Sequence, residues 1–254
     1  MTGGGAHLQE QHTTSGGFER YELEAWRHAY GVAAGVTARS PDADMSVAGE
    51  PPPESVRERW LQLSRAAGEG FRAVVVGRQV HGARLQVTLD AAAGLTVLQG
   101  VDGHLTDRPG LLLAVTVADC VPVYLLEPER GVLGLLHAGW RGIAAGVFET
   151  GVGALCELAE CSPSSVVMHC GVSVCGSCYE VGPEVVEAVA GERPGAPAKL
   201  DLRDVLRVRA EALGIGHVTM SSWCSVHDHD RFHSHRASAG APGRVAAYLG
   251  RPTA

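Results

Sequence analysis

Apolar residues gather in short runs along the middle of this chain, at positions 73–76, 85–88, 111–117, 121–126 and 132–136, each bounded by Gly, Asp or Pro. The runs have strand length, and several are apolar on both faces, which is the pattern of strands buried between two layers. Residues 166–169 and 218–221 read the same way. Helical spacing alternates with these runs. Residues 54–67 put Val56, Trp60, Leu61, Leu63 and Ala66 on one face, residues 143–158 follow a Gly-Trp-Arg-Gly turn, and 183–190 and 202–213 follow later, the last with Asp201 as its N-cap. No repeat of fixed period occurs. The predicted fold is α/β (α+β): a single globule with a buried mixed sheet core and outer helices.

Three segments break the pattern. Residues 1–20 hold GGG, a QEQH run and TTSGG, too little apolar surface to offset the entropy of ordering, and they read as a disordered tail. Residues 40–53 read as a loop, and 191–198 as an exposed connection. With 254 residues, 45% of them hydrophobic, and no linker in the middle, residues 21–254 are expected to form one catalytic domain.

Composition narrows the function. The formal charge is -7 and there is no long basic run, which argues against a nucleic-acid surface and for a small-molecule ligand. Seven cysteines, an odd number in a chain large enough to build a core, point to reduced thiols rather than a disulfide framework. No apolar h-region opens the chain and no stretch has the length of a membrane span, so a cytoplasmic protein without membrane contact is expected. A monomer is expected.

The chemistry-bearing residues fall at the ends of the apolar runs. His81 sits in Gln79-Val-His81-Gly82, Cys120 in Ala118-Asp-Cys120-Val-Pro122, and His137 in His137-Ala-Gly-Trp140-Arg141-Gly142. Two imidazoles and a thiolate are a known catalytic zinc set that leaves a fourth position open. Their gaps match no short zinc-finger signature, and the residue types alone leave open a buried, inert Cys120 with two ordinary histidines.

These segments, with Gly35-Val-Thr-Ala-Arg39, Asp102-Gly-His-Leu-Thr-Asp107, Cys178-Tyr-Glu-Val-Gly182, Ser234-His-Arg236 and Gly243-Arg244, resemble the laccase-domain family. That family is also called multicopper polyphenol oxidase or peptidoglycan editing factor, and includes purine nucleoside phosphorylases. The resemblance spans about residues 21–250. It implies zinc held by His81, Cys120 and His137. It also implies phosphorolysis of adenosine, inosine, guanosine and methylthioadenosine, together with adenosine deamination, so the implied partners are purine nucleosides and phosphate. Arg39, Arg141 and Arg236 are candidate anion clamps, because guanidinium meets phosphate bidentately. Gln79 and Asp119 are candidate substrate contacts; the alternative readings are a sheet-edge Gln and a turn-capping Asp. The chain departs from the family in residues 40–47, at Leu206 where an Asn is usual, and in Phe232-His-Ser-His-Arg236-Ala.

Two alternatives belong to other classes. A copper-dependent polyphenol oxidase would need a weak axial ligand and further copper sites, yet the chain has four methionines, none near the three ligands in sequence. A cysteine hydrolase editing peptidoglycan precursors would use Cys120 as nucleophile and His137 or His81 as base. Two further signals stand apart. The run from His227 to His235 alternates His and Asp, as a second metal site or simply a polar, His-rich loop would, and Cys175-Gly-Ser-Cys178 is a CxxC without a second pair at zinc-ribbon spacing. No GxSxG, HExxH, P-loop or GxGxxG occurs.

Overall fold

Strands that are apolar on both faces need a layer on each side, and the chain supplies those layers by stacking two sheets between helices. The structure, a computed structural model, describes residues 6–40, 44–47, 49–239 and 243–253. In chain order the strands are β1 (Ala6–His7), β2 (Gln11–Thr13), β3 (Arg20–Glu22), β4 (Ala33–Thr37), β5 (Ala73–Arg78), β6 (Leu85–Val87), β7 (Gly94–Gln99), β8 (Gly103–Thr106), β9 (Leu111–Val117), β10 (Val121–Glu127), β11 (Val132–Ala138), β12 (Val167–Cys170), β13 (Glu180–Val181), β14 (Ala198–Lys199), β15 (His217–Met220) and β16 (Val245–Gly250). The helices are α1 (Glu24–Tyr30), α2 (Glu54–Ala67), α3 (Trp140–Ala144), α4 (Val147–Ala159), α5 (Pro183–Ala190) and α6 (Leu202–Leu213). One seven-stranded sheet runs β1-β15-β12-β10-β11-β8-β6 and the other β2-β3-β4-β16-β9-β5-β7, and both mix parallel with antiparallel pairs.

Alternation along single strands shows how the layers are filled. On β10, Val123 and Leu125 face α4 while Tyr124 and Leu126 face the second sheet; on β9, Leu113 and Val115 join that inter-sheet core while Leu112 and Ala114 turn outward to Trp60 and Leu63 of α2. Each such side chain, once buried, contributes roughly 1.5–3 kcal/mol. Tyr124 crosses the interface and donates its hydroxyl to the Gly35 carbonyl at 2.8 Å, so its polar end is satisfied where no water reaches. The mixed α/β fold predicted from the pattern is the fold observed, and helices 54–67, 183–190 and 202–213 fall where the periodicity put them. Asp201 caps α6, accepting from the Arg203 amide at 2.9 Å. Among the described residues no helix is long and apolar enough to cross a membrane.

Two expectations need correction. The helix read as 143–158 is two helices. Gly146 takes φ 82° between α3 and α4, a left-handed conformation that glycine adopts without a Cβ clash. The expected disordered tail is also not observed in residues 6–20; residues 1–5 lie outside the described residues. β1 adds in parallel to β15, β2 pairs with β3, and Glu10 between them is buried. Its carboxylate accepts from Ser221 Oγ at 2.6 Å and meets His169 Nε2 at 3.2 Å, while its carbonyl accepts from Trp223 Nε1. Buried Arg20 donates to Glu22, to the carbonyls of Ser15 and Phe18 and to Ser15 Oγ, tying down the turn at 15–17. Isolated polar anchors do this work, so a test based on apolar content misses it.

Deleting residues 1–13 is therefore expected to destabilise the protein. The deletion leaves the buried His169 and Ser221 without their acceptor, at about 1–3 kcal/mol for each unsatisfied group. Urea unfolding of the truncated and intact chains checks this, and equal midpoints would show the segment to be dispensable.

A second prediction concerns acid. His104, in the interior of β8, is fully buried and neither ring nitrogen has a hydrogen-bond partner. Burial pushes its pKa down to about 4 against the opposing attraction of Asp102. The unfolded ring takes a proton near 6.5 and the folded ring only near 4, so the folded state loses stability as pH falls through that window. The loss reaches about 3 kcal/mol. His104→Leu is expected to flatten the decline, read from urea midpoints across the same pH range.

Candidate metal centre

Strand register brings the candidate ligands together. In the β10–β11 ladder Pro122 lies opposite His137 and Val121 opposite Ala138, which sets Cys120, one residue before β10, beside Gly139, one residue after β11. A Cβ on Gly139 would lie 2.9 Å from Cys120 Sγ and 3.2 Å from His81 Cδ2, so only glycine permits this approach. On the other side of β11, Leu136 pairs with Gly103 of β8, and the His137 amide donates to the Asp102 carbonyl at 2.7 Å.

His81 arrives from the second sheet, in the loop that follows β5. Asp102 holds that loop: its carboxylate accepts the backbone N–H groups of Val80, His81 and Gly82 at 3.1, 2.9 and 2.9 Å. The same carboxylate meets His137 Nδ1 at 3.0 Å. His81 is held at φ 60°, a conformation uncommon for a residue with a side chain. The outcome is one His2Cys group, His81, Cys120 and His137, whose ligand atoms all lie within 4.8 Å of one another.

The electrostatics follow from this geometry. Burial alone would raise the Cys120 thiol, but the charge and hydrogen bond of His137, with help from His81, outweigh it and bring the pKa down to about 6. Burial likewise opposes charge on His137, yet the facing thiolate and Asp102 lift it to about 9. Asp102 itself is held below the usual carboxylate range: its burial is outweighed by the His137 ring and the amides of Gly82 and Val80. With Nδ1 engaged by Asp102, His137 turns its other ring nitrogen to the Cys120 thiol, the carboxylate–histidine arrangement that orients a metal-bound imidazole. Two imidazoles and one thiolate fit a tetrahedral zinc with one position open.

The three ligands line a cavity of about 1060 Å³. Arg141 stacks its guanidinium 4.2 Å above the Trp140 ring, Arg236 lies 5.0 Å above Tyr179, and all four residues line the same cavity. Arg39 does not line it. Its guanidinium donates to the His229 carbonyl at 2.7 Å and its amide to the Arg231 carbonyl, so it fastens the C-terminal loop outside the cavity lining. Gln79 lines the cavity, but its amide is spent on Thr116, donating to the carbonyl and accepting from the backbone N–H and hydroxyl. Asp119 is likewise engaged, at φ 85°, accepting from Ser225 Oγ at 2.6 Å and the Arg236 amide at 2.7 Å. Sequence reasoning missed the positioning part of Asp102 and the place of Tyr179; both stand in quoted blocks, and a buried acid one strand away from a ligand was the available signal for Asp102.

Fold and site together define an α/β protein with a candidate three-residue metal centre at the end of its paired sheets. The family described as multi-copper polyphenol oxidoreductase laccase matches residues 28–252, and the chain belongs to that family. Purine nucleoside phosphorylase YlmD of Geobacillus stearothermophilus is 34% identical over 195 residues, covering 68% of this chain and 70% of that protein. The crystal structure of YlmD from Geobacillus stearothermophilus superposes with a TM-score of 0.82 at 30% identity, covering 92% of this chain and 96% of that one. A protein named adenosine deaminase RL5, from an unknown prokaryotic organism, is 30% identical over 209 residues, 75% of this chain and 79% of its own length.

Replacing Asp102 by Asn turns one acceptor oxygen into a donor facing N–H groups. Asp102→Asn is expected to weaken metal binding about 10–100-fold. Competition against a chromophoric chelator measures it, with circular dichroism as the check on folding.

Proposed function

We propose that this chain is a zinc-dependent purine nucleoside enzyme that catalyses phosphorolysis and, at the same centre, deamination of adenosine. The observation that carries the reading is the His81, Cys120 and His137 group opening onto a cavity whose wall also presents Arg141 and Arg236. The names of the relatives, a purine nucleoside phosphorylase and an adenosine deaminase, support it. The donor set favours zinc over copper. Among the described residues no methionine lines the cavity to serve as a weak axial ligand, and the other metal-type cluster is rich in Cys, with a single His.

When bound, zinc supplies Lewis acidity toward a polar atom of the substrate or of water at its open position. The chain's own residues do the rest. Arg141 and Arg236 hold phosphate oxygens beside the sugar. A phosphate oxygen forms the bond to the anomeric carbon while the carbon–nitrogen bond to the base breaks, and the departing electron pair on the base takes up the proton given up by the hydrogen phosphate. In deamination water adds at C6 and ammonia leaves, so the arginines are not needed for the nucleophile. Adenosine, inosine, guanosine and methylthioadenosine share the purine ribonucleoside core that this scheme requires.

A second reading has its own observation. Cys120, His137 and Asp102 also make a Cys–His–Asp series with a thiol already shifted to about 6, which suits a nucleophile acting without metal. Metal removal separates the two. Chelation of the protein is expected to abolish turnover and zinc to restore it; full activity in the metal-free protein would favour the thiol nucleophile.

The direct test incubates zinc-loaded protein with a nucleoside panel, with and without phosphate, and identifies products by mass. Free base with ribose 1-phosphate is expected only with phosphate, and inosine from adenosine in either case. Arg141→Lys keeps the charge but loses the bidentate fork and the stack on Trp140. It is expected to reduce phosphorolysis about tenfold or more, with deamination and zinc content nearly unchanged. Equal losses of both activities would reject a selective phosphate role for Arg141.

A further inference from the structure

The CxxC that had no partner pair in the sequence has one in space. Cys175, Cys178, Cys224 and His227 form a second group whose ligand atoms all lie within 4.8 Å of one another. Cys178 Sγ is 3.1 Å from His227 Nε2 and Cys175 Sγ is 3.8 Å from His227 Nδ1. None of the four residues lines the catalytic cavity.

The surrounding backbone is arranged as a thiolate–metal site requires. The chain turns tightly between the first two cysteines, with the Cys178 and Tyr179 amides both donating to the Cys175 carbonyl at 3.0 and 3.1 Å. The Cys175 amide donates to Cys224 Sγ at 3.3 Å, an N–H bond of the kind that stabilises negative sulfur. Cys224 is buried, bridged to Ser173 as a neighbouring strand residue, and its amide donates to Asp228 Oδ2 while its carbonyl accepts from the Asp228 amide. That turn presents His227 toward the cysteines. Outer contacts brace both halves. Asp201 accepts the Gly176 amide and pairs with Arg203, whose guanidinium also donates to the carbonyls of Ser221 and Trp223, just before Cys224. All seven cysteines are free thiols.

We infer that Cys175, Cys178, Cys224 and His227 bind a structural zinc ion, distinct from the catalytic centre. Three thiolates and one imidazole complete a tetrahedron and leave no position for substrate, as structural sites do. In such a tetrahedron the ligand atoms stand about 3.5–3.8 Å apart, so the observed cluster closes around the ion with small side-chain movements. The expectation of metal ligands spread along His227 to His235 is thereby narrowed to its first histidine. The metal ties the loop after β12, which carries Tyr179, to the loop after β15, which carries Arg236. Those two residues stack on the cavity wall, so the ion holds a substrate-facing surface without touching it.

The test uses the full chain purified without chelator, with metal measured by elemental analysis against protein mass. The wild type is expected to hold two zinc ions, Cys120→Ala and Cys178→Ser one each, and the double variant none. In Cys120→Ala loaded with cobalt, an intense thiolate-to-cobalt absorption with tetrahedral ligand-field bands is expected, and Cys178→Ser in that background removes it. His227→Ala, at an exposed position, covers the case in which cysteine variants do not fold; it is expected to speed metal loss to a chelator at least tenfold. Equal metal content in folded Cys120→Ala and in the double variant would overturn the proposal. So would a metal-free wild type whose non-reduced mass is two hydrogens low, the sign of a disulfide within the cluster. Metal retained by Cys120→Ala and lost with Cys178 supports this site whatever nucleoside activity the protein has.

Discussion

Asp102 is a fully buried carboxylate, and a buried charge persists only where hydrogen bonds replace the water it has lost. Here four N–H donors do so: three consecutive backbone amides and the ring of His137. The amides belong to the loop leaving the second sheet, and the ring belongs to β11 of the first. Satisfying one carboxylate therefore fixes the distance between the sheets at the point where both supply ligands. It also sets the tautomer of His137 and holds His81 in its left-handed backbone. Loss of this interaction would release the loop that carries His81 and the ring orientation of His137, while Cys120 and the His137 backbone stay held by the strand register.

The cavity shows the same economy on a larger scale. Polar and charged side chains that face it divide into those already satisfied by the protein and those left to meet a ligand. Asp119 and Gln79 have their polar atoms taken up by Ser225, the Arg236 amide and Thr116, so they shape the wall. Arg141 and Arg236 rest on aromatic faces, which attract guanidinium without consuming its N–H groups. They remain able to engage an anion. The Cys175–Cys178–Cys224–His227 cluster stands behind the same wall and joins the two loops that carry Tyr179 and Arg236.

Periodicity along the chain was enough to identify the buried strands at 111–117 and 121–126 and the helices at 54–67, 183–190 and 202–213, while His81, Cys120 and His137 were singled out by the resemblance of their blocks to a known family. Those features are local: a strand buried on both faces is apolar throughout, a helix face repeats every three to four residues, and Asp201 caps the helix that begins beside it. The break at Gly146 escaped because the apolar pattern continues through it, and the strands near the N-terminus escaped because Glu10 and Arg20 order them through several polar contacts each.

What required the folded molecule was every relation between distant residues. Cys175 and Cys178 found Cys224 and His227 only because β12 and β15 run side by side, and Asp102 became the support of His137 only through the register of β8 with β11. Arg39 matched a family block and still turned away from the cavity, toward a carbonyl contributed from 190 residues further along the chain. A residue's type states which bonds it can make. Which partners lie within 3 Å is settled by sheet order and register, and those depend on the packing of the whole chain.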